Sequence, residues 1–441
     1  MPTFSPNNAL LEVAIAQQAL TQLNLKAMYS KVCIKDYQPG AFERGDFVKI
    51  RRPKRRTAVD LNPRSAGYSF TEAEFFSGEL ALERLWTDGF LTYSIDSNQS
   101  VGLYVAETAS QIADAIATPN DTYMYNQFRT WAATTGTVRL GDHAPLAISA
   151  CVNSSGSLAP FNNEGLRGAT VFLDRENVPQ DNRYCILSST AKGAFLGDSV
   201  VVNGYAAASI GSGGLIERGL RLGEFVQRYG FEVSGCNSVG GQTGVSDLST
   251  ETGVQPTLPI AAIADNTQFV YADLSGNVPV GAVNLTLTIA SASALSSNVA
   301  VGQIARIGTS SKATAFGVIL RIDTTTATAP VVTLVPYAPD GTKIKPSDVV
   351  TGTDLFSIPS IPSVNTVNHV EGLAMATRQI QEPAAGSGAV AASIVDPTSN
   401  LSIQVFSGNY DLSRVRQLNA AYMLTGSKIT DFRKCGLILS L

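Results

Sequence analysis

The side chains on which catalysis or metal binding would have to rest are scarce in one class and scattered in the others. Only two histidines, His143 and His369, occur in 441 residues. A Ser/His/acid relay would have to recruit one of them, yet no GxSxG elbow exists and both lie in polar, loop-like text. Structural zinc needs clustered ligands, which two distant histidines cannot supply. The five cysteines (Cys33, Cys151, Cys185, Cys236 and Cys435) are spread along the chain with no CxxC pair. That pattern reads as reduced, buried thiols made in a cytoplasm. The glycine-rich turn Gly211-Ser-Gly-Gly214 lacks the third glycine of a dinucleotide fingerprint, because Ile216 stands in its place, and no GK[ST] occurs anywhere. Carboxylates are dense from 72 to 88, but their spacing isolates no acid–base pair. The reading is a non-enzyme with no metal and no cofactor.

One cluster does stand out by type and spacing. Lys49, Arg51, Arg52, Lys54, Arg55 and Arg56 place six cations within eight positions of RGDFVKIRRPKRRTAVD, in a chain whose net charge is −4. Six like charges so close repel one another by about 1 kcal/mol per near pair even in water, which favours a standing acidic partner. Three readings are open: ion pairing with another subunit, contact with nucleic-acid phosphates, and a solvated loop. The nucleic-acid reading lacks aromatic interleaving within the run. Downstream, Glu72, Glu74, Glu79, Glu83 and Asp88 face only Arg84 in residues 71 to 88. A basic segment so near an acidic one suits head-to-tail contact between copies.

The elements that must carry this cluster follow from local pattern. Phe47, Val48, Ile50, Thr57 and Val59 favour an extended strand, while the cations occupy both alternations, so neither face is expected in the chain's own core. Pro53 removes a ladder donor and points to an edge or hairpin. The expectation is a ribbon projecting from the body. Before it, residues 6 to 30 read as an amphipathic helix, either a core helix or an arm on a neighbouring chain. After it, Val101 to Thr134 reads as a long helix that Pro119 must kink or split. A short helix at Asn163 to Asp174, a strand at Tyr184 to Ser188 and a helix from Leu215 to Tyr229 follow.

Composition changes again beyond residue 229. No Lys or Arg occurs from Tyr229 to Ala305, and segments 282–289, 317–322 and 330–335 have strand length and strand pattern, punctuated by Gly, Pro, Asp and Asn. This predicts a compact all-β unit spliced into an α+β body, with mixed helix and strand resuming at His369. Charged residues make up 15 % of the chain against roughly 25 % in ordinary domains, which suits surfaces covered by other protein. No uncharged stretch is apolar enough for a membrane helix, and the start has no basic leader region.

Taken in order, these pieces resemble the major capsid proteins of tailed double-stranded-DNA bacteriophages, the Hong Kong 97 fold, and within it the short-tailed phage coat proteins with an inserted β-barrel. GDFVKIRRPKRRTAVD (45–60) is similar to the family's extended loop, and Val101 to Trp131 lies where its spine helix belongs. RGATVFLDRENVPQDNRYCILSS is similar to the turn from a peripheral helix into the axial domain, and LIERGLRLGEFVQRYGFEV to its helix-then-strand. VEGLAMATRQIQEP resembles the resumption of the axial domain, and YMLTGSKITDFRKCGLILS the closing hairpin. Two departures stand out: His369-Val-Glu371 replaces the family's His-Arg-Glu, and Pro119 interrupts the spine region.

The resemblance implies an N-terminal arm over 1–40, an extended loop over 41–97, and a peripheral domain over 98–180. It further implies an axial domain over 181–245 and 366–441, and an inserted β domain over 246–365. It implies self-assembly into hexamers and pentamers of an icosahedral shell in the virion, built in the host bacterial cytoplasm around packaged double-stranded DNA. A scaffolding protein, a portal and, in some members, a decoration protein accompany such shells; a membrane does not. Lys49 to Arg56 would then contact a neighbour, with Glu72, Glu74, Glu79 and Glu83 as acidic partners. The alternatives are another phage structural protein, an encapsulin-like shell, or a β-rich glycan-active enzyme.

Overall fold

The computed structural model describes residues 6–35, 47–53, 75–93, 101–129, 146–154, 156–197, 226–245, 257–265, 285–289, 298–309, 312–325, 330–380, 390–396, 400–411 and 416–441. In chain order, the first elements are α1 (Pro6–Lys26), β1 (Phe47–Pro53), β2 (Phe75–Ala81), β3 (Arg84–Tyr93), α2 (Val101–Arg129) and β4 (Ala147–Ala150). Next come α3 (Asn163–Arg175), β5 (Arg183–Leu187), α4 (Ser189–Gly197), β6 (Val226–Arg228) and β7 (Phe231–Gly235). Then follow β8 (Thr257–Asp265), β9 (Leu285–Ile289), β10 (Ile304–Gly308), β11 (Ala313–Asp323), β12 (Val331–Tyr337) and β13 (Leu355–Ser357). The last are β14 (Ser363–His369), β15 (Leu373–Arg378), β16 (Val390–Val395), β17 (Ser402–Asp411), β18 (Arg416–Ile429) and β19 (Cys435–Ser440). The chain is α+β and falls into two compact units, one of Met1–Ile50, Glu79–Gln127 and Leu373–Lys428, the other of Arg51–Gly78, Phe128–Gly372 and Ile429–Leu441.

In the first unit, an antiparallel sheet runs β15-β18-β17-β16, and β3 pairs with β18 from Arg416↔Tyr93 to Thr425↔Arg84. Helix α1 packs on β16 and β17, burying Ile15, Ala16, Ala19, Leu20 and Leu23. In the single chain its apolar stripe is covered by the chain's own strands. Helix α2 settles one half of the expectation for Pro119, which does not split it: the helix continues from Val101 to Arg129. A proline there forfeits one backbone bond and costs about 3 kcal/mol. The apolar side chains buried on either side, Ile112 and Ile116 before it and Met124 and Tyr125 after it, outweigh that cost. Just past the proline, the buried Asp121 carboxylate accepts the backbone N–H groups of Met28 (2.9 Å) and Tyr29 (3.1 Å), fastening the end of α1 to α2.

The second unit contains a six-stranded sheet in the order β4-β19-β14-β5-β7-β6. Its β19–β4 and β5–β7 pairs are parallel and the others antiparallel. Helix α3 begins at Asn162, whose side-chain oxygen accepts from the N–H groups of Glu164 and Gly165. Phe172 from α3, Phe195 from α4 and Phe161 pack on the sheet, with Phe161 and Phe195 edge to face at 5.8 Å. The central strand β14 is buried throughout although it reads Ser-Val-Asn-Thr-Val-Asn-His. Several of its polar groups find partners on other strands: Asn365 accepts from Ser188 N–H at 2.9 Å and donates to the Ile438 carbonyl, and the Ser363 and Ser188 hydroxyls meet at 2.7 Å.

Three further expectations change here. The helix expected from Leu215 to Tyr229 does not reach its end, because Val226–Arg228 is a strand. Tyr229 and Gly230, at φ 51 and 79, make a two-residue turn that folds β6 back on β7. The rest of that helix, with the 211–219 turn, lies outside the described residues. The text after His369 carries only strands and short 3-10 turns among the described residues. The closing segment is no hairpin either: β18 pairs with β17 and β3, whereas β19 pairs with β14 and β4. Both strands are apolar and local pattern cannot show which distant strand each will join.

Strands β8 to β13 close a barrel in the order β10-β11-β12-β9-β8-β13, every neighbouring pair antiparallel. Leu258, Ile260, Leu287, Ile319, Leu334 and Phe356 fill its interior. The segments entering and leaving it pair with each other, with Gln242 N–H on the Ile361 carbonyl and the reverse at 2.7 and 2.8 Å. The Gln242 amide also grips the Ile304 backbone at both N–H and C=O, at 2.7 and 2.9 Å.

Candidate inter-subunit ribbon

Strands β1 and β2 form a two-stranded sheet of their own. Lys49, Arg51 and Arg52 lie on β1 and Glu79 on β2, while Lys54, Arg55, Arg56, Glu72 and Glu74 lie outside the described residues. Glu83 follows β2 and is exposed. The first half of the basic run, Lys49, Arg51 and Arg52, therefore lies on this two-stranded ribbon.

The root of the ribbon is where sequence reasoning fell short. Val48 is partly buried against Leu80, Leu82, Leu85, Ala374, Ala376 and Leu424. Contrary to the expectation that neither face of this strand enters the core, its first turn of alternation does, because the cations begin only at Lys49. Leu80 and Leu82 are fully buried, and the backbone of Ala81 between them lies so close to Gly426 of β18 that any side chain at 426 would collide with the Ala81 carbonyl. One residue beyond Glu83, the Arg84 guanidinium sits 5.4 Å above the ring of Tyr123 on α2, and Trp86 meets the same ring edge-on at 6.3 Å. The Tyr123 hydroxyl accepts from the Ser427 N–H at 3.4 Å, and burial pushes its pKa up. The alternation Leu80-Ala-Leu82 was the signal available for this root. Nothing local pointed to Tyr123 or Gly426.

The groups that could do covalent chemistry are quiet. All five cysteines are buried. Burial pushes the Cys33 thiol up to about 12 and raises Cys185 as well, so neither supplies a thiolate near neutral pH. His143 lies outside the described residues. His369 is not in a loop as expected but ends β14, 4 % exposed, and its Nδ1 accepts the Glu371 N–H at 3.2 Å. Burial, and then the nearby Lys434, lower its pKa, so the ring is neutral. Lys434 itself is ion-paired with Glu371. No group of three His, Cys, Asp or Glu side chains that could hold a metal occurs among the described residues. No helix among them is long and apolar enough to cross a membrane.

No family model matches the chain, and no curated protein matches it. Several solved phage structures are similar over about nine-tenths of its length. One, from Mycobacterium phage Che8, is 12 % identical and covers 93 % of this chain and 90 % of that one, with a TM-score of 0.39. A capsid structure of cyanophage P-SCSP1u is 10 % identical over 92 % and 87 % of the two chains, at TM-score 0.40. The capsid of Ralstonia phage GP4 is 9 % identical over 94 % and 88 %, also at 0.40.

Proposed function

We propose that this chain is a major capsid protein of the Hong Kong 97 type, which self-assembles into an icosahedral phage head around double-stranded DNA. The observation that carries the reading is the pairing of β1, with its run of cations, to β2 as a separate two-stranded ribbon rooted in the core at Val48, Leu80 and Leu82. A polypeptide gains nothing within its own fold by gathering six cations there, whereas a neighbouring copy with Glu72, Glu74, Glu79 and Glu83 offers them partners. The ordered sequence resemblance supports the same reading, and so does a closed barrel where the inserted domain belongs. In this assignment the spine is α2, the peripheral and axial domains carry the two larger sheets, and hexamers and pentamers meet through the ribbon. A scaffolding protein, a portal and a virion location follow from the resemblance.

The test is direct. The protein expressed with its neighbouring reading frames should give closed or spiral shells tens of nanometres across by negative-stain microscopy. Reversing Arg52 and Arg55 to Glu should block or weaken shell formation while the subunit keeps its circular dichroism spectrum and melting temperature. Normal shells from the reversed variant, with unchanged salt resistance, would sink the role of the ribbon; a small uniform particle from the wild type would sink the capsid reading itself.

A further inference from the structure

Among the described residues the six-stranded sheet ends at β4, a four-residue strand that pairs with β19 and with no other strand. An open edge of this kind presents backbone donors and acceptors that recruit any extended segment. The barrel reaches it through the turn between β12 and its return segment, Ala338-Pro-Asp-Gly-Thr342. This turn is rigid. Gly341 N–H donates to the Ala338 carbonyl at 2.9 Å and Ala338 N–H to the Thr342 carbonyl at 2.7 Å. The Asp340 carboxylate accepts from both the N–H and the hydroxyl of Thr342. Pro339 carries no N–H, so its position offers an acceptor with no competing donor. That carbonyl accepts the N–H of Ala150 from β4 at 2.9 Å.

The contact is made for close approach. Gly341, at φ 79, lies against the backbone of Gly168 on α3, and a side chain at 341 would collide with the Gly168 carbonyl. A side chain at 168 would meet Ser149 of β4 and the Asp340 backbone. Beside the turn, Lys343 and Glu176 form an ion pair at 3.2 Å with side chains 14 % and 7 % exposed. At a second point the Ala313 N–H of β11 donates to the Gly156 carbonyl, just past β4.

We propose that the barrel is a built-in edge guard: its 338–342 turn plugs the free edge of β4 and denies it to strands of other chains. This function belongs to the isolated subunit and stands independently of shell formation. The test is backbone hydrogen exchange on the full-length subunit, under conditions where the wild type is a single soluble species, in Gly341→Val and Glu176→Lys. The first forbids the turn's backbone conformation; the second sets a cation against Lys343 and leaves both strands and the turn untouched. Exchange over residues 147–151 is expected to rise about tenfold or more while barrel peptides over 313–337 keep their protection. The variants are also expected to form irregular, thioflavin-binding aggregates. Unchanged protection of 147–151 would overturn the proposal, and so would faster exchange in a subunit that stays a single species. Should Gly341→Val lose barrel protection too, Glu176→Lys decides by the same two readouts.

Discussion

Asp121 shows how one side chain can set the placement of a long element. Its two oxygens take the N–H groups of Met28 and Tyr29, donors that the end of α1 would otherwise bury unmet. Asp121→Ala is expected to cost about 3 kcal/mol, since two charge-assisted bonds vanish and buried donors are orphaned; urea unfolding of the soluble subunit measures it. The cysteines make a second prediction. With all five buried, and Cys33 held up to about 12, none should react with a thiol reagent such as DTNB at pH 8 in the native subunit, and all five should react in guanidinium. His369 makes a third. Its folded pKa lies below that of the unfolded chain, so the unfolded state takes up the proton first as pH falls. Stability from this group is therefore full above about pH 7 and declines as pH drops through about 6.5 toward the lower folded value. His369→Gln, set against the surrounding Lys434, Glu371, Asp181 and Arg183, should flatten the slope of the urea midpoint between pH 7 and pH 5.5.

At the scale of elements, local pattern carried most of the information where an element is defined by its neighbours in sequence. The strands at 285–289, 313–323 and 331–337 and the helix at 163–175 follow alternation, amphipathic spacing and the Asn162 cap. What local pattern could not carry was partnership. Nothing near Cys435-Gly-Leu-Ile-Leu-Ser announces that it will lie between β4 and β14, and the polar text of β14 hides a buried strand because Asn365 and Ser363 find their partners on distant residues. Pro119 does not split its helix for the opposite reason, since a strong local signal yielded to burial on both sides. The ribbon was legible as an extended basic strand, and its root was not, because Val48, Leu80 and Leu82 are anchored by β15 and β18, far along the chain. Leu82→Ala should remove about 2–5 kcal/mol by leaving a cavity at this root. The same variant should weaken assembly at matched temperature, read as a higher protein concentration needed for shells by light scattering.

On the scale of the whole molecule, charge is sparse and unevenly placed. A net charge of −4 hides a cationic segment followed closely by an acidic one. If copies meet through these, attraction acts over about 10 Å at 0.1 M salt and about 3 Å at 1 M. The rate of assembly should therefore fall steeply with sodium chloride, and any assembly that Arg52→Glu with Arg55→Glu still supports should lose that dependence. Buried contacts are unaffected by such screening, so the melting temperature of the free subunit should move little over the same range.

The position of β19 has a temporal meaning. The second position of the six-stranded sheet, between the edge strand β4 and β14, is filled by residues 435–440. During translation, β4, β14 and the whole barrel leave the ribosome before that strand exists. The barrel can close on its own antiparallel pairs as soon as β13 emerges, but the sheet beside it keeps an empty slot until residues 435–440 have been made. A stalled or prematurely terminated chain is thus left with an unfinished core that proteases can recognise. Synthesis through β19 is therefore required before each subunit's sheet is filled and ready to meet any other.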